Sequence, residues 1–332
     1  MNETLITDNL KINQPIRAIT FQGLTIGGDK SFNFLKENDN KSKPVFALQL
    51  NIFDFSVSSH IVKNWFDSEV VKSKKQKAKN DEHTLSLLPF AFCPKYNSSI
   101  ELINIAEKTD CDILALKLNI SEENLDEQIK KAQELLKTLL PHIKKPLLIR
   151  GVNNKSTDIK LLPALMEVLD REAIVAFADE NTYKEIVPSV VKGGHLLVIR
   201  TPIDINLAKE MNILTSDMGL SLDKILIDTD MGGLGYGLEY GYSIMERIKL
   251  AAFEGDSMLN MPLIAFAGEE ALKVKETKSD TFSKSFGDFK TRSSMFEITT
   301  AAAVMAAGAN LIVLEHPDSI KTLKKMFGGL NE

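Results

Sequence analysis

The sequence predicts a closed barrel of eight parallel strands wrapped by helices, an α/β fold of the TIM-barrel type with an N-terminal β-hairpin extension. Two observations carry this. Short apolar runs recur eight times, and they are apolar on both faces rather than alternating, as strands buried between a core and a helical layer must be. Between them lie stretches with apolar residues at three- and four-residue spacing, the stripe of an amphipathic helix. Eight β–α units suit a (β/α)8 barrel, and a doubly wound open sheet is the alternative that periodicity leaves open. The chain has 332 residues, enough for two domains of ~150 residues or for one barrel.

Residues 1–44 precede the first barrel strand. Within them Ile16–Phe21, a turn at Gly23, and Leu24–Ile26 followed by Gly27 and Gly28 predict a small hairpin lying over one barrel end. The expected division is therefore a hairpin extension over 1–44 and a single barrel domain over 45–332. Barrel strands are expected at Val45–Leu50, Asp112–Leu118, Pro146–Ile149, Ile174–Phe177, Leu196–Ile199, Ile225–Ile227, Leu263–Phe266 and Leu311–Leu314. Helices are expected at Ile100–Lys108, Leu125–Leu140, Ile159–Leu169, Tyr183–Val191, Ile205–Met218, Leu238–Glu254 and Ser294–Ala307. Ser121 with Glu123 and Asn124 reads as a helix start, and Gly193-Gly194 as a stop. The long connection from Asn51 to Cys111 contains Trp65 and the lysines Lys72, Lys74, Lys75, Lys77 and Lys79. A solvated loop with a fraying helix is the expected form, ahead of a phosphate- or acid-binding patch. Lys273–Asp288 reads as an extended loop on the functional face.

Composition narrows the partners. Lys+Arg is 40 against Asp+Glu 45, a net charge of −5. That leaves no basic excess to neutralise phosphates, so nucleic acid is not an expected partner. The longest apolar run, Ala301 to Ala307, is too short to span a bilayer, and no membrane association is expected. The first residues show no basic or apolar leader pattern, which makes the cytoplasm the expected location. The two cysteines, Cys93 and Cys111, form no CxxC and no Cys/His cluster. An iron–sulfur cluster or zinc ribbon cannot be built from this chain alone, and both thiols read as buried apolar residues.

In such barrels chemistry gathers at the carboxyl ends of the strands. Those ends carry Asn51, Asp54, Lys117, Asn119, Arg150, Asn153, Asp179, Glu180, Arg200, Asp204, Asp228, Asp230, Gly268, Glu269, Glu315 and His316, a polar rim with no nucleophile elbow, Walker loop or HExxH. Lys117 is a candidate Schiff-base lysine or a packed stem with its head at the rim. Asp228 and Asp230 are a candidate metal pair or a backbone cap. His316 is a candidate proton shuttle or a packed rim residue. The most distinctive segment is Asp228–Gly241, DTDMGGLGYGLEYG, with glycines at 232, 233, 235, 237 and 241. Glycine permits positive φ and close backbone approach, and a loop of N–H groups entering a helix binds polar or anionic groups. A tight βα turn is the competing reading.

Three further stretches make the segment more specific: PIDINLAKEMNILTSDMGL (202–220), GGLGYGLEYGYSIMERIKLAAFEGDSML (232–259) and MPLIAFAGEEALKVKE (261–276). With TIGGDKSFNF (25–34) and GANLIVLEHPDSI (308–320), they resemble the small (delta) subunit of the corrinoid iron–sulfur protein of the acetyl-CoA decarbonylase/synthase system. The resemblance implies a TIM barrel that pairs with a large subunit holding the iron–sulfur cluster and a corrinoid (cobamide). The barrel mouth would cover that corrinoid during methyl transfer from a methyl-pterin methyltransferase to acetyl-CoA synthase/CO dehydrogenase, in the reductive acetyl-CoA (Wood–Ljungdahl) pathway. It implies a chain without covalent chemistry of its own and with no cluster of its own. The corrinoid-facing residues would be Asp228, Gly232, Gly233, Gly235, Tyr236, Gly237 and Glu239. The alternative is a stand-alone barrel enzyme, either a pterin-dependent methyltransferase holding its ring through Asp228 and Asn119 or a Lys117 aldolase.

Overall fold

The computed structural model describes residues 12–32, 43–80, 96–279 and 281–328. Eight parallel strands close on themselves: β3 (Val45–Asn51), β4 (Ile113–Lys117), β5 (Leu147–Arg150), β6 (Ile174–Ala178), β7 (Leu196–Arg200), β8 (Ile225–Asp228), β9 (Leu263–Ala265) and β10 (Leu311–Leu314), with β10 paired to β3. The open-sheet alternative is thereby excluded. Before the barrel, β1 (Ala18–Phe21) and β2 (Leu24–Gly27) form an antiparallel hairpin.

Alternation sorts each strand into two faces. Val45, Ala47, Ile113, Ala115, Leu148, Ile174, Ala176, Leu196, Val198, Leu226, Ile264, Leu311 and Val313 share one apolar cluster, the barrel interior. Their neighbours, such as Phe46, Leu48, Leu114, Leu116, Ile149 and Leu197, join the larger cluster beneath the helices. Both faces are therefore buried, which is why the sequence runs lack a polar face.

The hairpin plugs the amino end of the barrel. Ile19, Phe21 and Ile26 belong to the interior cluster. Arg17 N–H donates to Asn260 C=O at 3.2 Å, and Gln22 donates to Glu172 C=O, both at segments leading into strands. Asp29, just beyond β2, accepts from Lys249 Nζ at 2.5 Å and from Asn310, all three fully or nearly buried. Gly27, at φ +86°, is required here: a Cβ would lie 2.2 Å from Arg17 C=O.

Helices surround the strands: α1 (His60–Asn80), α2 (Tyr96–Ala106), α3 (Leu125–Leu139), α4 (Lys155–Met166), α5 (Tyr183–Gly193), α6 (Ile205–Asp217), α7 (Leu238–Glu254), α8 (Ala267–Lys273), α9 (Phe289–Ala306) and α10 (Pro317–Gly328). Several differ from the sequence expectation. The lysine-rich stretch is not a loop: it continues α1 to Asn80. Ser121 does not start a helix; α3 begins after Asn124, which sits at φ 52° with no side-chain cap. α4 begins at Lys155 because Asn154 caps it, and α9 at Phe289 because Asp288 accepts from Thr291 N–H. Short α8 follows β9 directly, and the stretch expected as an extended loop lies beyond it, between α8 and α9, with only short 3-10 turns at Lys275–Thr277 and Lys284–Phe286 among its described residues. Cys111 is a buried free thiol whose pKa burial raises; Cys93 lies outside the described residues.

Candidate functional site

The interior alternation continues past the last apolar layer, and the next inward positions are polar. Gln49 follows Ala47, Lys117 follows Ala115, Arg150 follows Leu148, Arg200 follows Val198, Asp228 follows Leu226 and Glu315 follows Val313. The carboxyl mouth is therefore lined by a single layer of charged and amide side chains standing on an apolar column. A register shift in β6 against β7, between Ala176 and Ala178, places Phe177 in the interior cluster beside Phe266. Such bulges re-aim side chains next to functional sites. The two rings meet edge to face at 5.1 Å between centroids.

Glu269, near the start of α8, sits at the centre of the layer. Both its oxygens lie 3.1 Å from Lys117 Nζ. Arg150 also donates to it, and Lys273 reaches it at 2.8 Å. Gln49 bridges outward: it accepts from Arg150 at 2.8 Å and donates to Glu315 at 3.1 Å. The Arg150 guanidinium lies 4.7 Å from the Phe177 centroid and 4.5 Å from that of Phe266. Arg200 lies 3.5 Å over Phe177 and ties Asp228 (2.7 Å) to Asp230 (3.1 Å). Stacking a cation on a ring face while pairing it with carboxylates fixes its position twice. At one edge Asn119 donates to Asn51 at 2.6 Å, and Asn51 to Ser58 at 3.0 Å.

The carboxyls divide by environment. Burial pushes the Glu269 carboxyl up, but Arg150, Lys117 and Lys273 together outweigh it and hold the group well below the usual carboxylate range. Burial, then the neighbouring charges of Glu269 and Glu297, raise Glu315 to about 7. Glu297, inside α9, is raised to about 7 by burial; its Oε1 accepts from the N–H groups of Glu315 (2.7 Å) and His316 (3.2 Å). Burial and the Arg150 charge lower the Lys117 pKa against the pull of Glu269.

The structure separates the sequence candidates. Lys117 is in the layer but engaged by Glu269, so its amine is not free. Asp228 and Asp230 are bridged by Arg200 where a metal pair was one reading, and among the described residues no three His, Cys, Asp or Glu side chains could hold a metal ion. His316 is a packed residue: its Nδ1 accepts from Asp318 N–H at 3.2 Å at the start of α10, and burial lowers its pKa to about 4. The glycine loop folds on itself. Tyr236 and Leu238 N–H donate to Gly233 C=O at 2.9 and 3.3 Å, so these two donors are used internally. A Cβ on Gly232 would meet Tyr236 C=O at 2.4 Å, and one on Gly233 would meet Glu270 C=O at 2.7 Å. Gly235 alone in the turn combines positive φ with open space around it. Tyr236 stands half exposed, its hydroxyl 3.3 Å from Glu276, and Glu239 is exposed. Sequence reasoning missed Gln49, Phe177, Phe266 and Glu297. Alternation puts Gln49 on the face of Val45 and Ala47, which only the barrel shows to be inward, and nothing local announces the β6 bulge.

With this geometry in view, comparison with known proteins is decisive for the family. A family model described as CO dehydrogenase/acetyl-CoA synthase delta subunit matches residues 66–323. The chain belongs to this family. Relatives include the acetyl-CoA decarbonylase/synthase complex subunit delta of Methanopyrus kandleri, 28% identical over 66% of this chain and 55% of the relative. That of Archaeoglobus fulgidus is 30% identical over 68% and 51%, and subunit delta 1 of Methanosarcina thermophila 32% over 66% and 52%. The chain thus spans about half the length of the curated relatives it matches. Among solved structures, a Xanthomonas albilineans dihydropteroate synthase with 4-aminobenzoic acid superposes with a TM-score of 0.56 over 95% of this chain and 98% of that one, at 10% identity. This likeness concerns the barrel alone. Among the described residues no helix of this delta-family chain is long and apolar enough to cross a membrane.

Proposed function

We propose that this chain is a delta-type subunit of an acetyl-CoA decarbonylase/synthase complex. In this reading its barrel mouth covers a corrinoid carried by a large corrinoid/iron–sulfur subunit. The methyl group passes between a methyl-pterin methyltransferase and acetyl-CoA synthase/CO dehydrogenase, and this chain forms no covalent bond to it. The observation that carries the reading is the closed accounting of the mouth. Lys117, Arg150, Arg200 and Lys273 each face a carboxylate within the same layer, leaving a fixed polar floor rather than a free nucleophile.

The residues fit such a group. A corrin ring carries peripheral carboxamide arms that need both donors and acceptors, and at the rim Asn119, Tyr236 and Glu239 supply both, above a buried floor in which Gln49 is engaged by Arg150 and Glu315. Arg150 Nε is buried without a hydrogen-bond partner, a donor at the floor. The corrinoid would supply the methyl-carrying metal. This chain's residues would orient the ring's edge and exclude water, which a reactive low-valent centre requires. Asp228 would act from the floor, and Gly232, Gly233, Gly235, Tyr236, Gly237 and Glu239 from the rim.

The test is co-expression with the cysteine-rich corrinoid-bearing subunit. We expect co-purification with cobamide and iron–sulfur absorbance, and an isolated chain that transfers no methyl group. Methyl transfer from methyl-pterin by the isolated chain would overturn the assignment. Glu315, poised near neutrality in the mouth, is the feature that favours that enzymatic alternative. The rim is tested by Gly235→Val, which places a β-branched side chain at φ +77°. The expected outcome is a folded barrel with weakened corrinoid retention by the assembled subunits, read from the cobamide-to-protein ratio. Unchanged retention would remove the loop from the site.

A further inference from the structure

Three consecutive carboxyl-side loops combine acidic charge with exposed apolar side chains. They run over 179–182, 201–204 and 229–237, and α7 continues the last. Their charged residues are Asp179, Glu180, Asp204 and Asp230, joined by Glu239 in the first turn of α7, and none is Lys or Arg. Of the neighbouring lysines, Lys184 of α5 lies over the Tyr183 ring and Lys273 of α8 is held by Glu269 and Glu270. Among these acids stand three large apolar side chains in the open: Ile203 at 44% exposure, Tyr236 at 52% and Tyr240 at 60%.

Ile203 is the telling residue. Its φ is +50°, a region that a β-branched side chain avoids because Cβ crowds the backbone. The residue belongs to none of the buried apolar clusters, so core packing does not offset this. The conformation is nevertheless held firmly. Ile203 N–H donates to Thr229 C=O at 3.1 Å, and Asp204 caps α6 through Asn206 and Leu207 N–H at 2.8 and 3.1 Å. Next to it Asp230, also at positive φ, is pinned by Arg200. An exposed apolar group kept in a strained, over-determined loop is what a pre-organised contact looks like.

We infer that this sector is a docking edge for a protein surface that is apolar at its centre and rich in Lys and Arg at its margin, with Ile203 as the anchor. Charge complementarity selects that occupant. A second copy of this chain would set acidic loops against acidic loops. The inference rests on the reading that a corrinoid-bearing subunit docks on this face, and it names the chemistry by which that subunit is held.

The experiment measures affinity of the full chain for the purified corrinoid-bearing subunit. Ile203→Asn removes the apolar contact and substitutes a residue at home at positive φ. Binding should weaken ~10-fold or more while thermal stability stays level or rises, a combination that a merely structural residue would not give. Glu180→Lys should weaken binding, and raising NaCl from about 50 to about 500 mM should lower wild-type affinity. Met326→Ser, an exposed apolar position on α10, should leave binding unchanged. Wild-type binding that is insensitive to Ile203→Asn and to salt would overturn this inference alone. Absence of wild-type binding would overturn it together with the corrinoid-subunit reading. A homodimer of the isolated chain that Ile203→Asn dissolves would show the edge to be self-complementary and overturn the choice of a basic partner.

Discussion

Three titratable side chains near β10 place opposing demands on pH. Glu297 and Glu315 have folded pKa values raised to about 7, above the ordinary 4.5. The folded state therefore binds more protons than the unfolded state between these values, and stability falls as pH rises from about 4.5 to about 7. His316, lowered to about 4, acts in the other direction: its contribution is present above pH 6.5 and is lost as pH falls toward 4. Glu297→Gln separates them. The amide oxygen can still accept from Glu315 and His316 N–H, while the ionisation is gone. We expect the variant to lose less stability than wild type between pH 5 and pH 8 in urea unfolding. An identical pH slope for the two proteins would mean that Glu297 does not titrate in this window. Lys117 is argued at the same scale. Lys117→Met would leave Glu269 facing Arg150 and Lys273 without its third cation, so the Glu269 carboxyl should titrate at higher pH, readable by 13C NMR of the labelled side chain.

At the scale of elements, the hairpin and the bulge decide most. Phe21 is fully buried in the barrel's interior cluster, so Phe21→Ala should cost ~3–5 kcal/mol, measured by chemical denaturation. The latch behind it is a buried ion pair, Lys249 with Asp29, in which burial lowers the lysine pKa. Lys249→Met strands the Asp29 charge and should cost ~3–5 kcal/mol, whereas pairing it with Asp29→Leu should recover most of the loss. If the double variant is as unstable as the single one, the pair does more than neutralise itself. Glycine at 308 belongs to the same latch. Its φ is +109°, and a Cβ there would lie 2.3 Å from the Lys249 side chain.

For the molecule as a whole, the two ends of the barrel are finished differently among the described residues. The amino end is filled by Ile19, Phe21 and Ile26. The carboxyl end presents a polar floor with apolar side chains on its rim, including Val57 and Phe286 as well as Ile203 and the two tyrosines. An exposed apolar rim of this kind favours association, and under the proposed function the carboxyl end is where the partner subunit would sit. We expect the isolated chain to gain thermal stability when its partner subunit is added, by mass action on the folded state. An unchanged Tm with partner in large excess would mean that the folded chain does not bind it.

The barrel was legible because its cause is local. Eight two-face-apolar runs separated by amphipathic stretches can bury themselves in few ways, and the glycine-rich stretch 232–241 set the chain within its family. Strand ends singled out Lys117, Arg150, Arg200, Asp228 and Glu315 as rim candidates but passed over Gln49, whose inward position shows only in the barrel. The sequence could not state which of these residues meet. Glu269 joins Lys117 and Arg150 across 152 and 119 residues of chain, and the loop glycines turned out to be spaced for contacts with Tyr236, Glu270 and Met231. Phe177 enters the mouth only through the β6 bulge, and Ile203 acquires its strain from hydrogen bonds to the neighbouring strand end. Periodicity reports which face a residue lies on. Ionisation, strain and partnership depend on what stands opposite, and only closure of the barrel brings those groups within reach.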